Sequence, residues 1–378
     1  MVSTYDCTIN RVFDASNHTG AAGFFFPVGH RARRGRAPLS RSGHMSKNAQ
    51  RKHEQTADEH QRNLVALINQ FSYGHHLDTV FRDFVELAAL AISNSVDRAQ
   101  FDGREKRYME IVGKYKPEEV ARFPKMLSEL TMSFEVRVAT MTAARGLGVR
   151  GSGLTDVLGE TYMMLDLGNA RSGQFFTPYH VSKLMAGMIG GDTVARADAQ
   201  GFARVHEPAC GAGGMVIATA EAFHDAGLNY QKAMHATCID IDPCCVHMAY
   251  LQLSLLHIPA IVVHGNALSM EVWGHWFTPA HVLGGWGHRL RARKAFDAMR
   301  ELLAPDAGTS EVEADAKPAL VAAPPASEVL EVEVGGAAVL EQPRAEGLDI
   351  ADMFEEAIAT LPAAPASIFE VVDQLTLF

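Results

Sequence analysis

Apolar positions recur at two different spacings along the chain, and the change of spacing divides it. From residue 63 to about 145 they fall three and four apart: Leu77, Val80, Phe81, Phe84 and Leu87 share one helix face. Pro117 and Pro124 each mark a helix boundary within this stretch. It reads as an all-helical module of several helices, without a catalytic constellation. Glycines within residues 146–153 form a loop, after which Thr155 or Asp156 is placed to cap a helix reaching about residue 167. From 173 to 264 helices alternate with short β-branched runs. Strands are predicted at 204–207, 235–240 and 260–264, and helices at 181–189, 214–226 and 243–256. That β-α-β-α-β order predicts an α/β fold with a doubly wound parallel sheet.

Both ends of the chain lack such periods. Residues 1–44 mix Gly, Ser, His and Arg, with a basic knot at Arg31, Arg33, Arg34 and Arg36, and read as a disordered extension or a nucleic-acid-binding arm. Met45, before a polar run, is an alternative start. Residues 304–363 are rich in Ala, Pro, Glu and Val and read as an acidic disordered linker, with one short helix at 350–360. The expected division is therefore 1–44, a helical module at 45–150, an α/β domain at 151–303, the linker at 304–363 and a terminal peptide at 364–378.

Charge changes meaning once it is located. The net charge is −10, yet residues 301–378 hold 16 acidic and 2 basic residues, leaving 32 basic and 28 acidic over the first 300. A mildly basic body with an acidic tail is compatible with nucleic acid. No apolar run reaches the ~18 residues of a membrane helix, so no membrane partner is expected. Five cysteines, clustered at Cys210, Cys238, Cys244 and Cys245 apart from Cys7, point to a reducing cytoplasmic setting rather than a disulfide scaffold. Cys244-Cys245 with His247 do not match zinc spacing, so no metal is expected.

Candidate chemistry gathers where the predicted strands end. The first runs into Glu207-Pro208-Ala209-Cys210-Gly211-Ala212-Gly213-Gly214. Glycines there let the backbone approach a ligand closely, and the next helix aims its first amides at the same spot. The second strand ends in Asp240-Ile241-Asp242-Pro243, placing an acid to grip the hydroxyls of a ribose. A glycine turn followed by an acid that merely caps a helix is the alternative these residues leave open.

Gly173-Gln174-Phe175-Phe176-Thr177-Pro178, the 207–213 turn, Asp240 and Gly265-Asn266-Ala267-Leu268 resemble successive motifs of adenine-specific (N6) DNA methyltransferases. The likeness is greatest to the modification subunit of type I restriction systems, and the lead-in Asp156-Val157-Leu158-Gly159 is similar as well. The resemblance implies a Rossmann-like class I sheet and S-adenosylmethionine as cofactor. Gln174, Phe175, Phe176, Thr177 and Pro178 would line its pocket. Glu207, Pro208, Cys210, Gly211 and Gly213 would hold its methionine part, Asp240 its ribose, and Asn266 would lie beside its adenine. It also implies double-stranded DNA as substrate, and a specificity or restriction subunit as partner.

The chain departs from that pattern in two ways. Asn266 stands where the family usually has Asp, and the catalytic Asn/Asp-Pro-Pro-aromatic run of the fourth strand is not found. The nearest approximation is Trp276-Phe277-Thr278-Pro279-Ala280-His281. Here Trp276 or Phe277 is placed to stack a base, Thr278 offers a hydroxyl poorer as an amine acceptor than an amide oxygen, and His281 is a further candidate. The sheet is also expected to be short, since only residues 274–303 remain for about four more strands. Two functions follow from this: an adenine-N6 methyltransferase of restriction-modification type, or a non-catalytic or partner-dependent cofactor-binding accessory protein.

Two more surfaces complete the picture. Arg289, Arg291, Arg293 and Lys294, with Arg300, make a basic stretch that reads either as a phosphate-contacting face or as a solvated one. The final residues Gln374, Leu375, Thr376, Leu377 and Phe378 resemble the peptide by which bacterial proteins dock on the β sliding clamp, with a strand folded back on the body as the alternative.

Overall fold

In the computed structural model, residues 57–303 are described, apart from 152, 166 and 168–175. The helical stretch holds α1 (Glu59–Asn69), α2 (Leu77–Val96), α3 (Phe101–Val112), the single turn α4 (Pro117–Val120) and α5 (Arg122–Gly146). Asp58 starts α1 by accepting the Gln61 amide at 2.8 Å, and the same carboxylate takes Ser133 and Arg137 of α5. One side chain thus caps a helix and ties it to its neighbour. Pro117 opens α4, whereas Pro124 lies within the first turn of α5, where a missing amide costs nothing.

The predicted face of α2 is buried at Val80, Phe81, Phe84 and Leu87, but so are Val85, Ala89 and Leu90 away from it. The helix is sandwiched, packing on α3 and, opposite, on a helix of the sheet. The following elements are α6 (Val157–Met164), α7 (Tyr179–Gln200), β1 (Ala203–Glu207), α8 (Gly214–Asp225), α9 (Tyr230–Ala233), β2 (Met234–Asp240), α10 (Pro243–Leu255), β3 (Ala260–Asn266), β4 (Glu271–Phe277), α11 (Pro279–Leu283) and α12 (Trp286–Leu303). Of the two candidate caps for α6, Asp156 takes the role, accepting the Gly159 amide.

The class is mixed α/β, with a four-stranded sheet in the order β1-β2-β3-β4. The first three strands run parallel, and all three lie where the β-branched runs predict them. The fourth, β4, is absent from the sequence reading and runs antiparallel to β3, after a short turn containing Met270 at φ 60°. A bulge between His264 and Gly265 accommodates that return. A Cβ on Gly265 would sit 2.2 Å from the Glu271 carbonyl oxygen, so the hairpin itself requires glycine there.

Two expectations are corrected. Helix α7 does not stop near residue 189 but continues through Gly190-Gly191 to Gln200, ending at Gly201 with φ 83°. The glycine pair costs roughly 1 kcal/mol per residue. The extensive packing of α7 on α8 offsets it, although a Cβ on Gly190 would meet the Ala222 methyl at an ordinary 3.8 Å, so the fit itself does not demand glycine. The boundary expected at 150 is not a division of compactness either. Helical stretch and sheet share one hydrophobic core, and the chain instead divides into a unit containing residues up to Gly287 and a second unit, His288–Asp349. Among the described residues, no helix is long and apolar enough to cross a membrane.

Candidate functional site

At the carboxyl ends of β1 and β2 lies a cavity of about 620 Å³. Its walls include Phe176, Thr177, Glu207, Cys210 and Gly211, together with Asp240. The local chain path explains the opening. Gly211 has φ +52°, and a Cβ there would approach the Phe176 ring to 2.9 Å, so the turn needs glycine for backbone and for space. Gly213, at φ 91°, is the N-cap residue of α8, whose first residues Gly214 and Met215 also line the cavity.

Asp240 joins the two turns. One carboxylate oxygen accepts the Gly211 amide at 2.8 Å and the other the Asp242 amide at 2.9 Å. Asp242 then caps α10 through the Cys244 amide and pairs with Arg82 of α2 at 3.2 Å. Burial raises the carboxyls of Glu207 and Asp240 above the ordinary range, with the charge of Asp240 adding to the rise at Glu207 and that of Asp242 to the rise at Asp240. The lining carries four carboxylates (Asp156, Glu207, Asp240 and Asp242) and, among the described residues, no Lys or Arg. A cavity of that sign favours a ligand bearing positive charge.

Two lining residues add to the expected ligand contacts. Ile241 is 60% exposed, an apolar side chain standing at the cavity beside Asp240. Asp156 is 4% exposed and lies beneath the glycine turn. Its Oδ1 accepts the Gly159 amide at 2.8 Å and the Gln252 side-chain amide at 2.7 Å. Its spacing to a helix start signals a cap; nothing local signals that Gln252 of α10 and Gly214 of α8 close around it. Asp156, Phe176 and Thr177 are also the shared wall of a neighbouring cavity of about 610 Å³ that includes Arg137, Glu160, Pro178 and Lys183.

Burial pushes the Asp156 carboxyl up to about 6, against the bonds from Gln252 and Gly159 that favour the charged form. An acid held above its unfolded value of ~3.9 destabilises the fold as pH rises through that window. The penalty is absent below about pH 4 and complete above about pH 6, at about 3 kcal/mol. Asp156→Asn keeps the cap and should therefore gain on the wild type between about pH 4.5 and pH 7.5. Melting temperatures differing by a constant offset at both pH values would refute it.

Several predicted positions lie elsewhere. Gln174 and Phe175 fall outside the described residues, as do residues 1–44, the linker and the terminal Gln374, Leu375, Leu377 and Phe378. Pro208 is exposed in the turn. Asn266 closes β3, but its side-chain oxygen accepts the Leu268 amide at 2.9 Å and shapes the hairpin instead of lining the cavity. Cys244 and Cys245 are buried at the start of α10, and His247 packs edge-on against Trp276, with burial pushing its pKa down to about 4.

The candidates for a base site are corrected by topology. Because β4 runs back along β3, Phe277 pairs with Ile261 near the start of β3, while Asp240 pairs with His264. Thr278 thus lies about 13 Å along the sheet from the acid, at the opposite edge. It is fully buried, accepting the Ala260 amide and donating to the Ile258 carbonyl, both at 2.9 Å. His281 stacks on Phe277 and hydrogen-bonds His235 at 2.9 Å. Thr278 and His281 are buried at the far edge, and Phe277 lies half-buried beside them. Arg289, Arg291, Arg293 and Lys294 lie on α12 in the second unit, where Arg293 pairs with Asp297 at 2.7 Å.

Residues 154–283, roughly a third of the chain, match the family model for N-6 DNA methylase. The match spans Asp156, Phe176, the glycine turn, Asp240 and Asn266 and ends at Leu283, the last residue of α11. No curated protein matches the chain.

Proposed function

We propose that the cavity at the glycine turn binds S-adenosylmethionine and that the chain serves adenine-N6 methylation of DNA, in a restriction-modification setting. The observation that carries this reading is the meeting of the 207–214 turn, Asp240 and the start of α8 around one acidic cavity, within the segment similar to N-6 DNA methylases. Each part suits a part of the molecule. The Asp240 carboxylate has lone pairs left for the two ribose hydroxyls. The exposed Ile241 offers an apolar face to the adenine ring. Free amides at the first turn of α8 suit the methionine carboxylate. The cofactor supplies an activated methyl on a sulfonium, and the acidic lining favours that cation over the neutral sulfide left after transfer.

A second reading, that transfer depends on a partner, is favoured by the sheet. In it β1 is an edge strand, and Thr278, the nearest substitute for the amine acceptor, is spent in the core. A polypeptide supplying an acceptor and an aromatic stacking group beside the cavity would complete the chemistry. The basic residues of α12 would meet phosphates, and the terminal peptide would tether the chain to a sliding clamp on replicating DNA.

Purified full-length protein is expected to bind S-adenosylmethionine in calorimetry and to transfer little or no labelled methyl to adenine-containing DNA. No heat and no thermal stabilisation at millimolar cofactor would sink the cofactor reading. Robust methylation by the lone chain would overturn the partner-dependent one. A peptide of residues 364–378 should bind the clamp in fluorescence polarisation, and unchanged binding on Leu377→Ala or Phe378→Ala would dismiss the tether.

A further inference from the structure

Asp156 stands apart from the other acids of the cavity. Glu207, Asp240 and Asp242 are partly open to solvent, and all three hold backbone amides at their own turns. Asp156 is 4% exposed, and both of its hydrogen bonds converge on the same oxygen, Oδ1. Among the described residues, Oδ2 receives none. That oxygen points towards Gly214 at the start of α8, where a Cβ would approach it to 3.2 Å, and Asp156 lines the cavity there. A carboxylate oxygen set this far in, at a cavity wall, gains from any donor the cavity brings to it.

The groups that touch its carboxylate supply hydrogen bonds but no positive charge, and Arg137 and Lys183 of the neighbouring cavity are paired with Asp58 and Glu221. The donors to Oδ1, the Gln252 amide and the Gly159 N–H, are both neutral, and the nearby charge of Glu160 works against ionisation. The glycines keep the oxygen accessible, because side chains at 159 or 214 would press on this carboxylate. Oδ2 is not among the sealed unpartnered atoms and stays open to the cavity, so a ligand donor can take the place of water there, and a cationic one offsets the burial of the charge as well.

Two cationic groups of the methyl donor are conceivable partners, and hydrogen bonding separates them. A sulfonium has no hydrogen to give, whereas an ammonium has three. We infer that Asp156 is the anchor for the ammonium of the ligand's amino-acid moiety, receiving it on Oδ2 beneath the glycine turn. This rests on the cofactor reading above and adds to it a residue lying 84 positions before Asp240 in sequence. Asp156 then acts in binding, with no part in the transfer itself. It makes the site selective for adenosyl ligands that carry an α-amino group, over those with a bare thioether.

Calorimetry on the full chain tests this with three probes: S-adenosylmethionine, S-adenosylhomocysteine and 5′-methylthioadenosine, the last lacking the amino-acid part. Asp156→Asn and Asp156→Ser both retain a helix-capping acceptor. Each is expected to weaken the first two ligands at least tenfold and to leave methylthioadenosine within twofold of wild type. Loss confined to S-adenosylmethionine would assign the carboxylate to the sulfonium and overturn the proposal. Equal loss of all three ligands, or none, would also overturn it by reducing Asp156 to a structural cap. Failure of wild-type protein to bind any probe would refute the cofactor reading itself, an outcome distinct from these.

Discussion

Arg104→Ala is expected to destabilise the protein by about 3–5 kcal/mol, the usual result of stranding one partner of a buried ion pair. Arg104 and Asp97 are 7% and 8% exposed and pair at 3.0 Å. The same guanidinium donates to Ser93 and, at 2.8 Å, to the His275 carbonyl, and its carbon lies 4.1 Å from the centre of the Trp276 ring. It therefore bolts α3 to β4. Removal leaves the Asp97 carboxylate buried without its cation, strips a donor from the β4 backbone and uncovers a tryptophan face. Against a typical total of 5–15 kcal/mol, that is a large fraction. Denaturant unfolding followed by both fluorescence and circular dichroism checks it. The two probes should move together, because helical stretch and sheet share one core. A loss below about 1 kcal/mol would contradict the burial argument. Arg104→Met combined with Asp97→Leu should recover most of the loss, since replacing both charges removes the stranded group.

Asp240→Ala should weaken S-adenosylmethionine binding by about 1–3 kcal/mol, through the loss of charge-assisted hydrogen bonds to the ribose. Some of that effect would be indirect, because Asp240 also holds the Gly211 and Asp242 amides. Asp240→Asn separates the two contributions. The amide retains one acceptor oxygen for a turn but has neither the charge nor the second acceptor. If the direct contact dominates, Asn should bind nearly as poorly as Ala while melting close to wild type. Wild-type affinity in Asp240→Asn would remove the carboxylate from the ribose site and leave it a purely structural tie between two turns.

Much of this arrangement is legible in the chain because its signals are local. A β-branched run ending in a glycine turn specifies β1 and the start of α8. Asp242 before Pro243 specifies the start of α10, since a capping acid and a proline at the first turn both favour a helix start there. Glu207, Gly211 and Asp240 were identifiable for the same reason: parallel strands joined by helices bring their carboxyl ends to one edge, whatever the rest of the fold does.

What only the tertiary structure decided are the features that depend on distant partners. The direction of β4 is one, because nothing in Glu271–Phe277 says that the strand returns along β3 and carries Thr278 and His281 to the far edge. The Gly265 bulge that permits the return reads in sequence as part of a cofactor motif. The length of α7 is another, since packing against α8 outweighs a glycine pair that local propensity treats as a stop. Asp156 is the third. Its sequence context specifies a helix cap within a stretch that resembles the methyltransferases, and its chemistry comes from Gln252 and Gly214, which are distant in the chain and brought within hydrogen-bonding or contact range by the packing of α6, α8 and α10. Burial and charge environment are properties of that packing, so the deeply buried acid among the described lining is visible only once the helices have closed around it.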